Sequence, residues 1–226
     1  MEQKSKLKRF FTEDGRPVVF VLLMIIFGFY GSMIHMGIIG NLLGLLLGFS
    51  WAVVISLIGM LLRKPKSWRP KLANGTLIGM IVALGLLSGA GIMYIGMMTE
   101  ALNQASLNNS MLSALMQPAV PYYITMNSLI EMVIVPLLIL CNWNGSAKRK
   151  AFMIAGLAVW LAMRIWTFLA YAEMRLDVSQ GTLSAADIEW FKQTLAVDYR
   201  YVLELIAEVL LILAAINPFA SSTKSK

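Results

Sequence analysis

Cysteine, histidine and charge are what this chain has least of, and each shortage removes a class of explanation. Of 226 residues one is cysteine, Cys141, which rules out an internal disulfide and a cysteine-cluster metal site. The single histidine, His35, excludes a haem held by two histidines. Charged residues make up 14% of the chain, against about a quarter in a soluble domain. No zinc, nucleotide or phosphate-loop signature is present. The net charge of +7 would suggest nucleic acid in a soluble protein. Here the basic residues flank apolar runs, which is the pattern of membrane topology and anionic-lipid contact, so no nucleic-acid partner is expected.

What the chain has in quantity is apolar length. Hydrophobic residues reach 58%, gathered into long stretches, as in a polytopic protein whose partner is the lipid bilayer. Lys4, Lys6, Lys8, Arg9 and Arg16 precede the first stretch in the manner of a signal peptide. That stretch is too long for a signal core and lacks a small-residue cleavage site, so it reads as an uncleaved span. A span needs roughly 20 apolar residues. Residues 18–62 therefore hold two, with Gly40-Asn41 as turn chemistry near Ile39–Asn41. The expected fold is all-α: a six-span transmembrane bundle over about 18–39, 40–62, 75–98, 120–141, 151–172 and 200–217. Residues 1–17 form a basic cytoplasmic segment and 218–226 a cytoplasmic tail.

Basic residues test that count. Arg63, Lys64, Lys66, Arg69 and Lys71 fill one loop, Lys148, Arg149 and Lys150 another, and Lys224 and Lys226 the tail. With six spans and both termini inside, all of these and the N-terminal group are cytoplasmic, in a cell membrane whose short loops suit a bacterium. A single span over 18–62 would place two strongly basic segments on opposite sides. Outside, the 173–199 segment carries Ser184-Ala-Ala-Asp187, similar to a capping box, followed by Ile188, Phe191, Leu195 and Tyr199 at helical spacing. These predict a short amphipathic helix, either an interfacial anchor or a lid. Residues 101–117 are compatible with a second.

Gly40, Gly44, Gly48, Ala52 and Ser56 form a small-residue ladder on the second span, and Gly75/Gly79 and Gly85/Gly89 extend the theme on the third. Small residues let helix backbones approach closely. The ladder serves packing within the chain or, through Gly40, Gly44 and Gly48, a homo-oligomer or membrane partner.

Chemistry is expected where polar residues interrupt the last three spans. Arg200, Glu204 and Glu208 recur every four residues, one stripe on one helix face. A carboxylate facing lipid is costly, so such a stripe turns to protein or to a water-filled cavity. Tyr123, Asn127 and Glu131 form a second stripe, and Trp160, Arg164, Thr167 and Tyr171 a third. With the deduced orientation all three meet in the outer half of the membrane. The expected site is a charged pocket of Glu131, Arg164, Glu204 and Glu208, rimmed by Tyr123, Asn127, Thr167 and Arg200, with His35 near it. Arg164 would pair one or more glutamates and orient a polar group, and the surplus carboxylates would hold a cation or exchange protons. The other reading is a buried ion-pair network that fixes helix register. Met33, Met36, Met93 and Met97 raise copper, but sixteen methionines make such spacings commonplace, and neither a metal nor a cofactor is assigned. Pro136, just past Glu131, predicts a kink.

Several of these features carry a resemblance. Gly85-Leu-Leu-Ser-Gly89, Met116-Gln-Pro, Arg164-Ile-Trp166-Thr167, and an outer helix with Trp190 ahead of Arg200 and the last span make residues 75–217 similar to small four-span membrane proteins of the anthrone-oxygenase-like family. Two further spans precede that region here. The resemblance implies cofactor-independent oxidation of an aromatic substrate, with an apolar polycycle in the membrane pocket. From the residues themselves, three classes stay open: an acid/base or oxygenase-type enzyme binding an apolar or amphipathic small molecule, a transporter or proton-coupled carrier, and a non-catalytic subunit or immunity-type partner.

Overall fold

The computed structural model describes residues 10–32, 37–103, 113–115, 117–171, 177, 184–196 and 198–219. Among them the chain is helical, with no strand. The helices are α1 (Arg16–Ser32), α2 (Gly37–Leu62), α3 (Arg69–Asn103), α4 (Ala119–Leu129), α5 (Val135–Asn142), α6 (Ala147–Ala170), α7 (Ala185–Ala196) and α8 (Arg200–Ile216). A 3-10 turn at Lys66–Trp68 precedes α3, and a π-helical turn at Ile130–Ile134 joins α4 to α5. Four helical stretches are long and apolar enough to cross a membrane: Ile39–Leu62, Lys66–Asn103, Ser113–Asn142 and Ala147–Ala170. Arg16–Gly31 is apolar but shorter, and α8 has 17 residues. At 1.5 Å per residue α3 is roughly 50 Å long, well beyond a hydrocarbon layer of about 30 Å.

One expected boundary is displaced. Gly40 and Asn41 do not turn the chain: both lie inside α2, which begins at Gly37. The first helix ends at Ser32, and Met33, His35 and Met36 lie outside the described residues. Gly40 is used for approach instead. A methyl group on Gly31 would overlap the Gly40 carbonyl, and one on Gly44 would overlap that of Phe27. At Gly48 it would come within 2.6 Å of Leu23 O. The glycine ladder is thus the seam of the α1–α2 hairpin, with Ala52 and Ser56 buried below it. On the third span the pattern does not repeat: Gly75, Gly79 and Gly89 face open space.

The helices contribute to two compact units, one of Met1–Met80, Ser128–Phe152 and Ile212–Lys226, the other of Ile81–Asn127 and Met153–Leu211. In the first, α5 packs on the hairpin, and Pro136 sets the local geometry. Proline offers no N–H and its ring crowds the carbonyl four residues back, that of Met132. The helix widens there, Val135 N–H reaching Ile130 O. The Met132 carbonyl that Pro136 leaves unserved accepts a hydrogen bond from Trp51 Nε1 at 2.7 Å. The expected kink is therefore a widened turn with its spare carbonyl capped by a neighbouring indole.

Two polar clusters close the same unit. Arg63 donates to Leu140 O (2.6 Å), a helix-end carbonyl with no partner in its own helix, and to Asp14 Oδ2 (3.0 Å). Asn144 Nδ2 donates to Asp14 Oδ1 at 2.8 Å. Asp14 and Gly15 turn the chain with φ of 57° and 77°, and a Cβ on Gly15 would strike the Trp143 ring. Burial pushes the Asp14 carboxyl up, but the Asn144 amide and the Arg63 guanidinium, with Arg16 behind them, hold it below the ordinary aspartate value. Arg149, expected as a loop charge, is 1% exposed. It donates to Asn142 Oδ1 (2.8 Å), Asn74 Oδ1 (2.8 Å) and Asn217 O (3.0 Å), with its guanidinium over the Phe219 ring. Asn142 in turn donates to Ala73 O, Thr76 Oγ1 and Leu138 O. One guanidinium thus ties together the ends of α3, α5, α6 and α8.

In the second unit a buried cluster of Tyr94, Met98, Leu102, Tyr171 and Phe191 receives α7, with Ile188 packed beside it. The predicted amphipathic helix exists, and Phe191 buries while Trp190 stays exposed. Tyr199 is not on it, because α7 ends at Ala196 and Tyr199 is exposed beyond. Ser184 O accepts from Ile188 N–H, and the Asp187 and Leu195 side chains lie outside the described residues, as do residues 104–112 and 116 of the 101–117 stretch compatible with a second outer helix.

Candidate functional site

The stripe on α8 faces protein, as its spacing requires. At its start Asp198 accepts from Arg200 N–H at 3.2 Å, capping the helix. The same carboxylate grips the guanidinium, through Nε to Oδ1 at 2.6 Å and through Nη2 to Oδ2. Arg200 Nη1 also donates to Thr167 Oγ1 (3.4 Å), and Arg200 Cζ stands 3.9 Å from the centre of the Tyr171 ring. Arg200 and Asp198 are both buried. This fork-to-fork pair consumes the charge of Arg200 locally.

One turn on, Glu204 accepts a hydrogen bond from Ser88 Oγ of α3 at 3.2 Å. Arg200, Arg164 and Asp198 are the charges that act on it, but no ion pair within contact distance reaches it among the described residues. Arg164 therefore acts on Glu204 through space. Arg164 is itself buried, its guanidinium 4.8 Å from the Phe168 ring centre.

Glu208 is the exposed end of this arrangement in a chemical sense. Among the described residues its carboxylate has no hydrogen bond and no ion pair. Oε1 lies 3.4 Å from where a Cβ on Gly85 would stand. Gly85 and Ser88, three residues apart on α3, therefore present one face to the two glutamates: the glycine gives room and the serine gives a donor. Below them α6 and α8 touch closely, a Cβ on Gly156 falling 3.1 Å from Ala207 O.

The remaining expected residues divide. Tyr123 lies in the second unit, edge-on to Tyr94 and Tyr122, and Asn127 is half-buried on α4 with no hydrogen bond among the described residues. Glu131 belongs to the first unit, in the π turn, where it is 1% exposed and accepts from Tyr30 Oη at 2.6 Å. Within the second unit the structure thus brings together Arg164, Thr167, Arg200, Glu204 and Glu208. Sequence reasoning missed Asp198, Ser88 and Gly85. An Asp-x-Arg at a helix start signals the first, whereas Gly85 reads as a packing residue and Ser88 stands alone in an apolar run.

Comparison with known proteins finds no family model, no curated protein and no solved structure that matches the chain. Fold and site define an all-helical protein with membrane-length apolar helices and two under-compensated carboxylates on one of its shorter helices.

Proposed function

We propose that this chain is a six-span protein of the cell membrane, both termini cytoplasmic, that binds a small cation at Glu204 and Glu208 in the outer half of the bundle. The observation that carries the reading is the Glu208 carboxylate, which lies on an apolar helix against Gly85 without a hydrogen bond or an ion pair among the described residues. A carboxylate in such surroundings is costly unless a proton or a cation joins it. The Asp198–Arg200 pair sharpens the imbalance, since it removes one of the two arginines from the balance of charge. An oxygenase-type or acid/base enzyme and a proton-coupled carrier would both use this carboxylate. A structural subunit would not.

The test is a melting titration of the purified protein with sodium and with butylammonium, in wild type and Glu208→Gln. A ligand at 100 times its Kd stabilises by about 2.7 kcal/mol, a shift of several degrees. The reading expects that shift in the wild type and its loss in the variant. Equal responses in both proteins, or no response to either cation, would sink it.

A further inference from the structure

The segment from Lys64 to Lys71 joins α2 to α3, and every one of its residues is exposed. It leads from one stretch long enough to cross a membrane, Ile39–Leu62, into the start of the next, Lys66–Asn103. Its sequence, Lys-Pro-Lys-Ser-Trp-Arg-Pro-Lys, holds four cations and no acid. The first unit supplies no carboxylate to them from elsewhere. Among its described residues the acids are Glu13, Asp14 and Glu131. Glu13 and Asp14 face Arg16, Asp14 also holds Arg63, and Glu131 accepts from Tyr30. Lys64, Lys66, Arg69 and Lys71 therefore have no ion pair among the described residues. Lys148 on α6 stands exposed at the same end, because its neighbour Arg149 donates to Asn74, one turn into α3 from Lys71.

Local structure gives this charge a shape. Trp68 N–H donates to Pro65 O and Arg69 N–H to Lys66 O, closing a 3-10 turn. Residues three apart eclipse in such a turn, so Lys66 and Arg69 stand on one side of it. Arg69 Nε donates to Arg63 O at 2.9 Å, which fixes the guanidinium. Its two Nη groups have no hydrogen bond among the described residues. A guanidinium held at its stem and open at its tip suits a phosphate, which accepts two parallel N–H bonds. In the same turn Trp68 is 56% exposed, and Leu61, on the last turn of α2, is 69% exposed. A soluble phosphate would leave both apolar surfaces in water, whereas an indole at a membrane boundary rests at headgroup level. We propose that Lys66, Trp68 and Arg69 form a binding site for an anionic phospholipid. The Arg69 fork and the Lys66 ammonium take the phosphate, and the Trp68 ring lies where headgroup meets acyl chain. The surplus of positive charge selects an anionic headgroup over a zwitterionic one.

The experiment reconstitutes the full chain in phosphatidylcholine vesicles that contain a minor share of brominated phosphatidylglycerol or brominated phosphatidylcholine. Bromine near the head of the acyl chain quenches an adjacent indole. The difference in fluorescence between wild type and Trp68→Phe isolates Trp68 from the other tryptophans. Brominated phosphatidylglycerol should associate at Trp68 about fivefold or more strongly than brominated phosphatidylcholine, the range of one cation at an anionic surface. Arg69→Gln should bring that preference to about twofold or less, while Lys148→Gln, which removes one exposed cation at the same end, should keep it within about twofold of wild type. Added inorganic phosphate should leave the quenching unchanged. No preference for phosphatidylglycerol, no quenching of Trp68 by either lipid, or an unchanged preference in Arg69→Gln overturns the site. An equal loss in Lys148→Gln overturns it too, by assigning the preference to the diffuse field of the basic loops. Release of quenching by inorganic phosphate would give the site to a free anion and overturn the lipid.

Discussion

Among the described residues, the first unit buries a cation without an acid, and the second holds two acids without a contacting cation. The two are handled in opposite ways. Around Arg149 the acceptors are two asparagine side chains and a carbonyl, all neutral, and Asn142 passes the network on to α3. Every member gains a partner, which is the condition under which a buried polar network rigidifies a structure. Among the described residues Glu204 accepts from one hydroxyl, that of Ser88, and the Glu208 carboxylate from none. A network closed on itself has no need of a ligand. The open pair does.

Breaking the closed network should have the largest effect. Arg149→Met removes the donor from three acceptors at once and should destabilise by about 3 kcal/mol or more, read as a fall in melting temperature or in denaturant resistance. A loss below about 1 kcal/mol would mean that water replaces the guanidinium and that the network is not closed. Next comes the seam that holds the same unit: Gly44→Val drives a branched side chain into the Phe27 carbonyl and should cost about 2–3 kcal/mol by parting the hairpin. Trp51→Phe strips the Met132 carbonyl of its donor and should cost about 1–2 kcal/mol. If it costs nothing, Pro136 is accommodated by the wide turn alone.

The open pair should respond in the other sense. Without ligand, Glu208→Gln should leave stability within about 0.5 kcal/mol of wild type or raise it, because it removes a charge that has no partner to lose. A clear destabilisation would make Glu208 part of a structural network and erase the contrast. The smallest effect belongs to Asp14. Its carboxyl is held below the ordinary aspartate value when folded, so its contribution is present above the unfolded value and disappears as pH falls through the folded one. The window opens below about pH 4. Asp14→Asn should flatten the acid limb of the stability profile there and change nothing at neutral pH beyond a constant offset.

Much of this was legible in the residues. Apolar runs pointed to helices, though α1 ends at Ser32 rather than 39 and α3 runs from Arg69 to Asn103 rather than over 75–98, and the four-residue spacing put Arg200, Glu204 and Glu208 on a protein-facing stripe. Periodicity reports which face a residue is on but not what stands opposite. That is why the Tyr30 hydroxyl on Glu131 and the Asp198 carboxylate on Arg200 could not be read from the stripes. Gly40-Asn41 reads as a turn because glycine and asparagine favour turns, yet a glycine repeating every four residues in an apolar run is also a packing face, and that use prevails. Arg149 looked like a topology charge because nothing in Lys148-Arg149-Lys150 distinguishes a buried guanidinium from its solvated neighbours. Only the asparagines, distant in sequence at 74, 142 and 217, identify it.

That spread has a consequence for the order of assembly. The α1–α2 seam joins neighbours along the chain, so the hairpin can form as soon as residue 62 has emerged from synthesis. Arg149 instead collects its acceptors from segments made early, midway and late. Until Asn217 arrives its guanidinium lacks one of its three acceptors, and the first unit stays unlocked while the whole of the second is being made between its parts.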